Sequence, residues 1–315
     1  MNKWIYTILL VGLLAISTSP VIARLLPLVP AAVIAFWRMA AASAMLWSYS
    51  SIRPQESLAT KNIRLVLAAG FLLAMHFVFW FGALKLTSIA NTTVLGIVAP
   101  AFTLLFERLW YNRKLGWITI TALLIILVGG IIVQGDDLGS MDGTGLGNIM
   151  AILSAIFLGS VFLIGAKVRK TTSVITYTRT VYAVSAIVLL VSSLILDNPL
   201  MGYTINNYFW LFMLGLIPTL IGHTAFSYSV KFVSPTVIAA FPLGEPIIAS
   251  YLAWLLFAER VPFYVVSGGL IIFIGLIILI MNKQSEEFSP YNILFSGCHC
   301  SAHGDPQVVK QLCDT

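Results

Sequence analysis

The chain has 315 residues, 59% of them hydrophobic and only 10% charged, with a mean hydropathy of +0.96. Soluble domains carry about 25% charged residues, so 18 Lys+Arg and 12 Asp+Glu cannot clothe one or two soluble domains of this length, and the Leu/Ile-rich composition is the reverse of a disordered chain. A formal charge of +6 would suggest nucleic acid for a soluble protein, but in so apolar a chain it is first a topology signal.

A bilayer-crossing helix needs about 20 apolar residues, and cutting the chain at charges, prolines and polar clusters leaves ten such stretches. They are residues 4–23, 31–50, 64–84, 88–108, 115–134, 146–166, 174–196, 208–229, 235–257 and 263–282. Unbroken runs such as Ile118 to Val133 and Leu270 to Met281 lack the alternation of barrel strands. The first stretch follows Met1-Asn2-Lys3 and is longer than the apolar core of a secretory signal, so it is expected to be retained as a helix.

With the N-terminus inside, Arg24, Lys85 and Arg260 fall outside, Arg38 and Arg179 fall within helices, and the other thirteen of the 18 basic residues fall inside. That bias predicts both termini in the cytoplasm. The basic composition is then a positive-inside pattern and implies no nucleic-acid partner.

An internal repeat is legible. Lys85 to Ser88 followed by Pro100 recurs as Lys231 to Ser234 followed by Pro246, displaced by 146 in each case (85 to 231, 88 to 234, 100 to 246). The same displacement takes Trp117 to Phe263 and Gly129 to Gly275. Each half then holds five helices, an odd number, so successive halves enter the membrane from opposite sides. Inverted repeats of this kind are typical of secondary transporters with a mid-membrane site between the halves. The expected fold is an all-α polytopic membrane protein of ten transmembrane helices in two inverted five-helix repeats, 4–134 and 146–282, followed by a cytoplasmic tail at 283–315.

The runs Ala74 to Leu109 and Gly222 to Val261, with Pro100, Glu245-Pro246, Arg38 and Glu259 in their places, resemble the EamA-type members of the drug/metabolite transporter superfamily. The resemblance covers about residues 4–282. It implies a multi-pass carrier of the plasma or inner membrane that exports amino acids, other metabolites or toxic compounds by alternating access. This chain departs from the family in carrying Arg113 where first halves often have Glu, with Glu107 two turns earlier, and in carrying Ser17 to Pro20 in place of a frequent Trp.

Among the candidate pathway residues, Glu245 stands near the middle of the ninth stretch, where an ionised carboxylate is costly. It suits proton coupling or capture of a substrate amine, the plainer alternative being a structural carboxylate tied to a neighbouring helix. Pro246 removes a backbone donor beside it, and Pro100 does so in the fourth stretch. Arg38 and Arg179 occupy the corresponding second and seventh helices and are expected either to gate the two faces or to snorkel. His76 and His223 occupy the third and eighth; they offer a proton relay or simple packing. Ser17, Ser19, Asn91, Thr92, Ser154 and Ser160 are candidate polar lining, though hydroxyls also bond helices together. The aromatic run Phe77 to Phe81 suggests an apolar pocket or a lipid face. Gly129, Gly130, Gly268, Gly269 and Gly275 are assigned to close helix packing.

Cys298, Cys300 and Cys313, with His299 and His303, lie in the polar tail at spacings that match no common zinc pattern, so neither metal nor cofactor is expected. The expected partners are a small-molecule substrate, the lipid bilayer, the proton as coupling ion and a second copy of the chain as a homodimer. The alternative function is a membrane-embedded enzyme acting on a lipid or isoprenoid, for which HExxH, paired helical aspartates and CxxC are all missing from the sequence.

Overall fold

The computed structural model describes residues 3–86, 92, 95–96, 98–111, 116–134, 145–258 and 263–281; every regular element among them is helical. Among the described residues, seven helices are long and apolar enough to cross a membrane: Trp4–Arg24, Ala31–Ile52, Thr60–Leu86, Gly145–Val168, Val174–Ile195, Ile205–Ser229 and Pro235–Phe257. The shorter apolar helices Trp117–Ile132 and Val266–Leu279 fall within the expected stretches 115–134 and 263–282, and the helix Val98–Tyr111 overlaps the stretch 88–108 and runs past its end. The third span begins at Thr60 rather than at residue 64, because a backbone helix continues through a polar first turn that hydropathy cuts away. Asn91, Arg113, Glu259 and the tail with its cysteines and histidines lie outside the described residues.

Three spans depart from a plain α-helix, each at residues that weaken the backbone ladder. The first divides into α1 (Lys3–Ile16) and α2 (Thr18–Arg24). Pro20 cannot donate to the carbonyl four residues back, and the hydroxyls of Ser17 and Thr18 bond back to Leu13 and Ala15, both at 2.7 Å. Then come α3 (Ala31–Ile52), α4 (Thr60–Leu86), α5 (Val98–Tyr111), α6 (Trp117–Gln134), α7 (Gly145–Val168) and α8 (Val174–Ile195).

The next span runs as α9 (Ile205–Leu214), a π-helical turn (Gly215–His223) and α10 (Thr224–Ser229). Pro218 sits inside that turn and supplies no N–H to the backbone ladder, and the Thr219 hydroxyl donates to the Leu214 carbonyl at 2.9 Å. The ninth stretch is α11 (Pro235–Ala240), a 3₁₀ turn (Phe241–Gly244) and α12 (Glu245–Phe257), so it breaks one residue before Glu245. Pro246 therefore occupies the first turn of α12, where a missing N–H costs little. Pro100 likewise lies in the first turn of α5, and its carbonyl accepts from Thr103 Oγ1 at 3.0 Å. The last helix is α13 (Phe263–Met281).

Packing is reciprocal. The extensive contacts pair α6 with α13, α3 with α8, α4 with α7, α1 with the π turn, and α5 with α11. A Cβ on Gly129 would lie 2.7 Å from the Gly268 carbonyl and 2.8 Å from the Ile272 nitrogen, while one on Gly275 would lie 2.9 Å from the Ala122 carbonyl and 3.2 Å from the Ile126 nitrogen. These backbones approach closely because at each crossing one of the two helices presents a glycine. A second pair behaves alike: at Gly70 the Cβ would meet Val184 Cβ at 2.6 Å and the Val181 carbonyl at 3.0 Å, and at Gly215 it would meet Ala41 Cβ at 2.6 Å and the Arg38 carbonyl at 3.1 Å.

A cavity holding Arg38 and Glu245

The helix breaks lie beside a cavity of about 90 Å³. Its polar wall is Ser19, Arg38, His76, Thr92, Ser154, His223 and Glu245; its apolar wall includes Phe77, Trp80, Phe162 and Phe226.

Arg38 is 2% exposed, and four spans converge on it. Its Nε donates to Thr219 Oγ1 at 2.6 Å, its Nη1 donates to Ser19 Oγ at 2.9 Å, and its guanidinium carbon stands 4.5 Å from the centre of the Phe77 ring. The two hydroxyls and the ring face fix the guanidinium plane. Thr219 can accept from Arg38 because its own hydroxyl proton goes to the Leu214 carbonyl. The Thr219 carbonyl is in turn bonded by Tyr182 and Thr224 hydroxyls, each at 3.4 Å.

Glu245 begins α12 immediately after the 3₁₀ turn; it is half-buried, lines the cavity and lies within electrostatic range of Arg38. Among the described residues no donor is hydrogen-bonded to its carboxylate. One cation held by a network and one carboxylate left open thus share an apolar chamber.

His76 is 7% exposed and is bonded to Ser154 across the α4–α7 interface, with Nδ1 2.9 Å from Ser154 Oγ. His223, in the π turn, lines the cavity and sets its ring 5.4 Å from that of Phe77. Within the aromatic run, Phe77 and Trp80 line the cavity while Phe79 stacks on Phe157 at 5.5 Å.

Other expected pathway residues lie elsewhere. Arg179 is away from the cavity, its guanidinium 4.5 Å above the Trp47 ring. The two glycine crossings explain why: they place Val181, not Arg179, where Arg38 stands in the other half. Ser17 is buried with its hydroxyl spent on the Leu13 carbonyl, and Ser19, one residue past the α1–α2 break, is the serine that reaches Arg38. Ser160 bonds back to Ile156 at 2.8 Å. Glu107 is 1% exposed and accepts from the Thr236 amide at 3.4 Å, joining α5 to the start of α11. Among the described residues no group of three or more His, Cys, Asp or Glu side chains is placed to hold a metal.

Thr219 is the contact that sequence reasoning missed. Its signal was a proline in mid-span followed by a hydroxyl residue that can bond back to the main chain.

An all-helical membrane protein with a charged cavity among its spans is the class that the described residues define. Residues 2–134 and 145–281 each match the EamA-like transporter family, and the chain belongs to that family. It is a multi-pass protein of the cell membrane. An uncharacterized transporter of Bacillus subtilis (strain 168), YxxF, is 25% identical over 76% of this chain and 77% of its own length. The pseudopaline exporter CntI of Pseudomonas aeruginosa (strain PAO1) is 21% identical over 81% and 88%. A protein of known crystal structure superposes with a TM-score of 0.74 at 16% identity, covering 88% of this chain and 96% of that one, a likeness of fold.

Proposed function

We propose that the chain is a secondary transporter that exports small metabolites (amino acids, related compounds or drugs) through the central cavity by alternating access of two inverted five-helix halves. The observation that carries this reading is the placement of Arg38 and Glu245, opposite in charge, in one apolar chamber at the middle of the helices. Arg38 offers a pre-oriented donor edge for an anionic group, since its Nε and Nη1 are already anchored. Glu245, unpaired by any hydrogen bond among the described residues, is free to receive a substrate cation or a proton, and one after the other gives coupled exchange.

The two family matches, the shared displacement of 146 and the reciprocal glycine crossings support the repeat, and the exporter among the relatives supports the direction. The basic-residue bias supports cytoplasmic termini. The membrane-enzyme alternative has no comparable observation behind it.

The experiment is reconstitution into sealed vesicles loaded with a metabolite extract, with the external solution read by mass spectrometry under an imposed pH gradient. Release of specific compounds only from vesicles containing the protein is expected. Conversion of a compound in detergent solution, with no sealed compartment, would replace the transporter reading with the enzyme.

A further inference from the structure

Three contacts join His76 on α4 to Ser154 on α7: His76 Nδ1 to the Ser154 carbonyl at 3.1 Å, His76 Nδ1 to Ser154 Oγ at 2.9 Å, and Ser154 Oγ to the His76 carbonyl at 3.0 Å. Only one arrangement of protons makes all three attractive. A carbonyl oxygen can only accept, so the Ser154 hydroxyl proton goes to the His76 carbonyl and the proton between the ring and Ser154 belongs to Nδ1. Were Nδ1 the acceptor, its lone pair would face the Ser154 carbonyl and one of the two oxygen contacts would be repulsive.

The far edge of the ring follows from this. A second positive charge on this buried ring beside the Arg38 cation is disfavoured, and the tautomer of a neutral imidazole is set by the bond its other nitrogen makes, so Nε2 carries the lone pair. Among the described residues nothing is bonded to Nε2, and the ring lines the cavity. Arg38 lies within electrostatic range of it, and Phe77 and Trp80 supply apolar surface beside it.

We infer that His76 is held by Ser154 as the neutral Nδ1–H tautomer and acts as the hydrogen-bond acceptor of the cavity, so that the transported solute must present an N–H or O–H donor close to its anionic group. This rests on the transporter reading of the same cavity. It gives His76 a specificity role and removes it as a proton conduit: a relay needs an exit on the second nitrogen, and Nδ1 ends on main-chain oxygen.

Two measurements on the full-length protein test it. The chain has four histidines, so nitrogen NMR of the 15N-histidine-labelled protein, with His76→Gln to assign the signal, reads the tautomer directly. A protonated Nδ1 with an unprotonated Nε2 is expected; the reverse tautomer, or imidazolium at neutral pH, overturns the inference.

The second measurement compares thermal stabilisation by anthranilate, whose amino group donates beside a carboxylate, with that by 2-methylbenzoate, in which a methyl group replaces the amino group and nothing donates. Apparent affinity should fall by at least about tenfold for the methyl compound, the scale of an acceptor left without its hydrogen bond. His76→Phe should erase the difference, whereas His76→Gln, which keeps an acceptor, should retain part of it. Equal stabilisation by both compounds, no stabilisation by anthranilate, or discrimination that survives His76→Phe overturns the inference. The NMR signal does not depend on flux, so a silent vesicle assay would fail the transporter reading without touching the tautomer.

Discussion

Gly129 rests on Gly268 and Ile272, and Gly275 rests on Ala122 and Ile126; a displacement of 146 carries each of these contacts onto the other (129 to 275, 122 to 268, 126 to 272). The displacement that relates Lys85, Ser88, Pro100, Trp117 and Gly129 to later residues thus also relates the backbone atoms that the two glycines touch.

Because the would-be methyls meet backbone atoms under 3.0 Å away, Gly129→Ala and Gly275→Ala should each destabilise the protein by about 1–3 kcal/mol, the usual cost of overpacking. Thermal unfolding in one detergent measures both. Gly145→Ala is the control, since nothing lies within 4 Å of its added carbon.

Thr219→Val keeps the volume of the side chain but removes the acceptor from Arg38 Nε and the donor from Leu214. A buried charged donor left unpaired costs about 1–3 kcal/mol or more, and the loss should appear in the unfolding temperature and in vesicle flux together. Thr219→Ser should restore both. Wild-type behaviour of the valine variant would remove Thr219 from the Arg38 network.

Glu245→Gln should leave the fold intact while abolishing flux driven by a pH gradient, since glutamine keeps the shape and cannot carry the proton. Counterflow of the same solute without a gradient separates coupling from binding. Flux with an unchanged pH profile would exclude Glu245 as the coupling group.

Arg169 lies in the connection after α7, donating from Nε to the Ser227 carbonyl at 3.0 Å and from Nη1 to the Thr172 carbonyl. Burial pushes its pKa below the ordinary guanidinium value, the nearby Tyr177 and Tyr228 acting in the opposite direction. Arg169→Ala leaves two carbonyls near the end of α10 and in the α7–α8 connection without donors and should cost a few kcal/mol, at about 1–3 kcal/mol per group. Arg169→Lys, without the fork, should recover only part of the lost unfolding temperature.

A reporter fused after residue 315 should be active in the cytoplasm and silent outside. The opposite result would reverse the orientation inferred from the basic residues.

The spans were legible because hydropathy over twenty residues is a strong signal, and Arg38 and Glu245 because ionisable residues are rare in such a chain. The partner of Arg38 was harder. Two arginines on corresponding helices invite pairing, yet helices turn 100° per residue, and the two-residue difference between Arg179 and Val181 puts Arg179 on another face. Ser17 and Ser19 are equally good candidates in a string of letters; only the break after Ile16 decides which hydroxyl is free. The π turn has no hydropathy signature at all, because it changes the winding and not the composition.

That winding leaves a countable trace. From Gly70 to Lys85 the third span takes fifteen steps (85 − 70), whereas from Gly215 to Lys231 the eighth takes sixteen (231 − 215). The surplus lies where the helix widens, at Gly215–His223, as expected when one inserted residue is absorbed as a π turn instead of shifting everything beyond it. Removing one residue there should tighten the π turn toward α-helical winding with both flanks still in register, at the expense of the Thr219 contact to Arg38. The segments Gly70–Lys85 and Gly215–Lys231 thus differ by a single residue, at the point where the charged chamber is assembled.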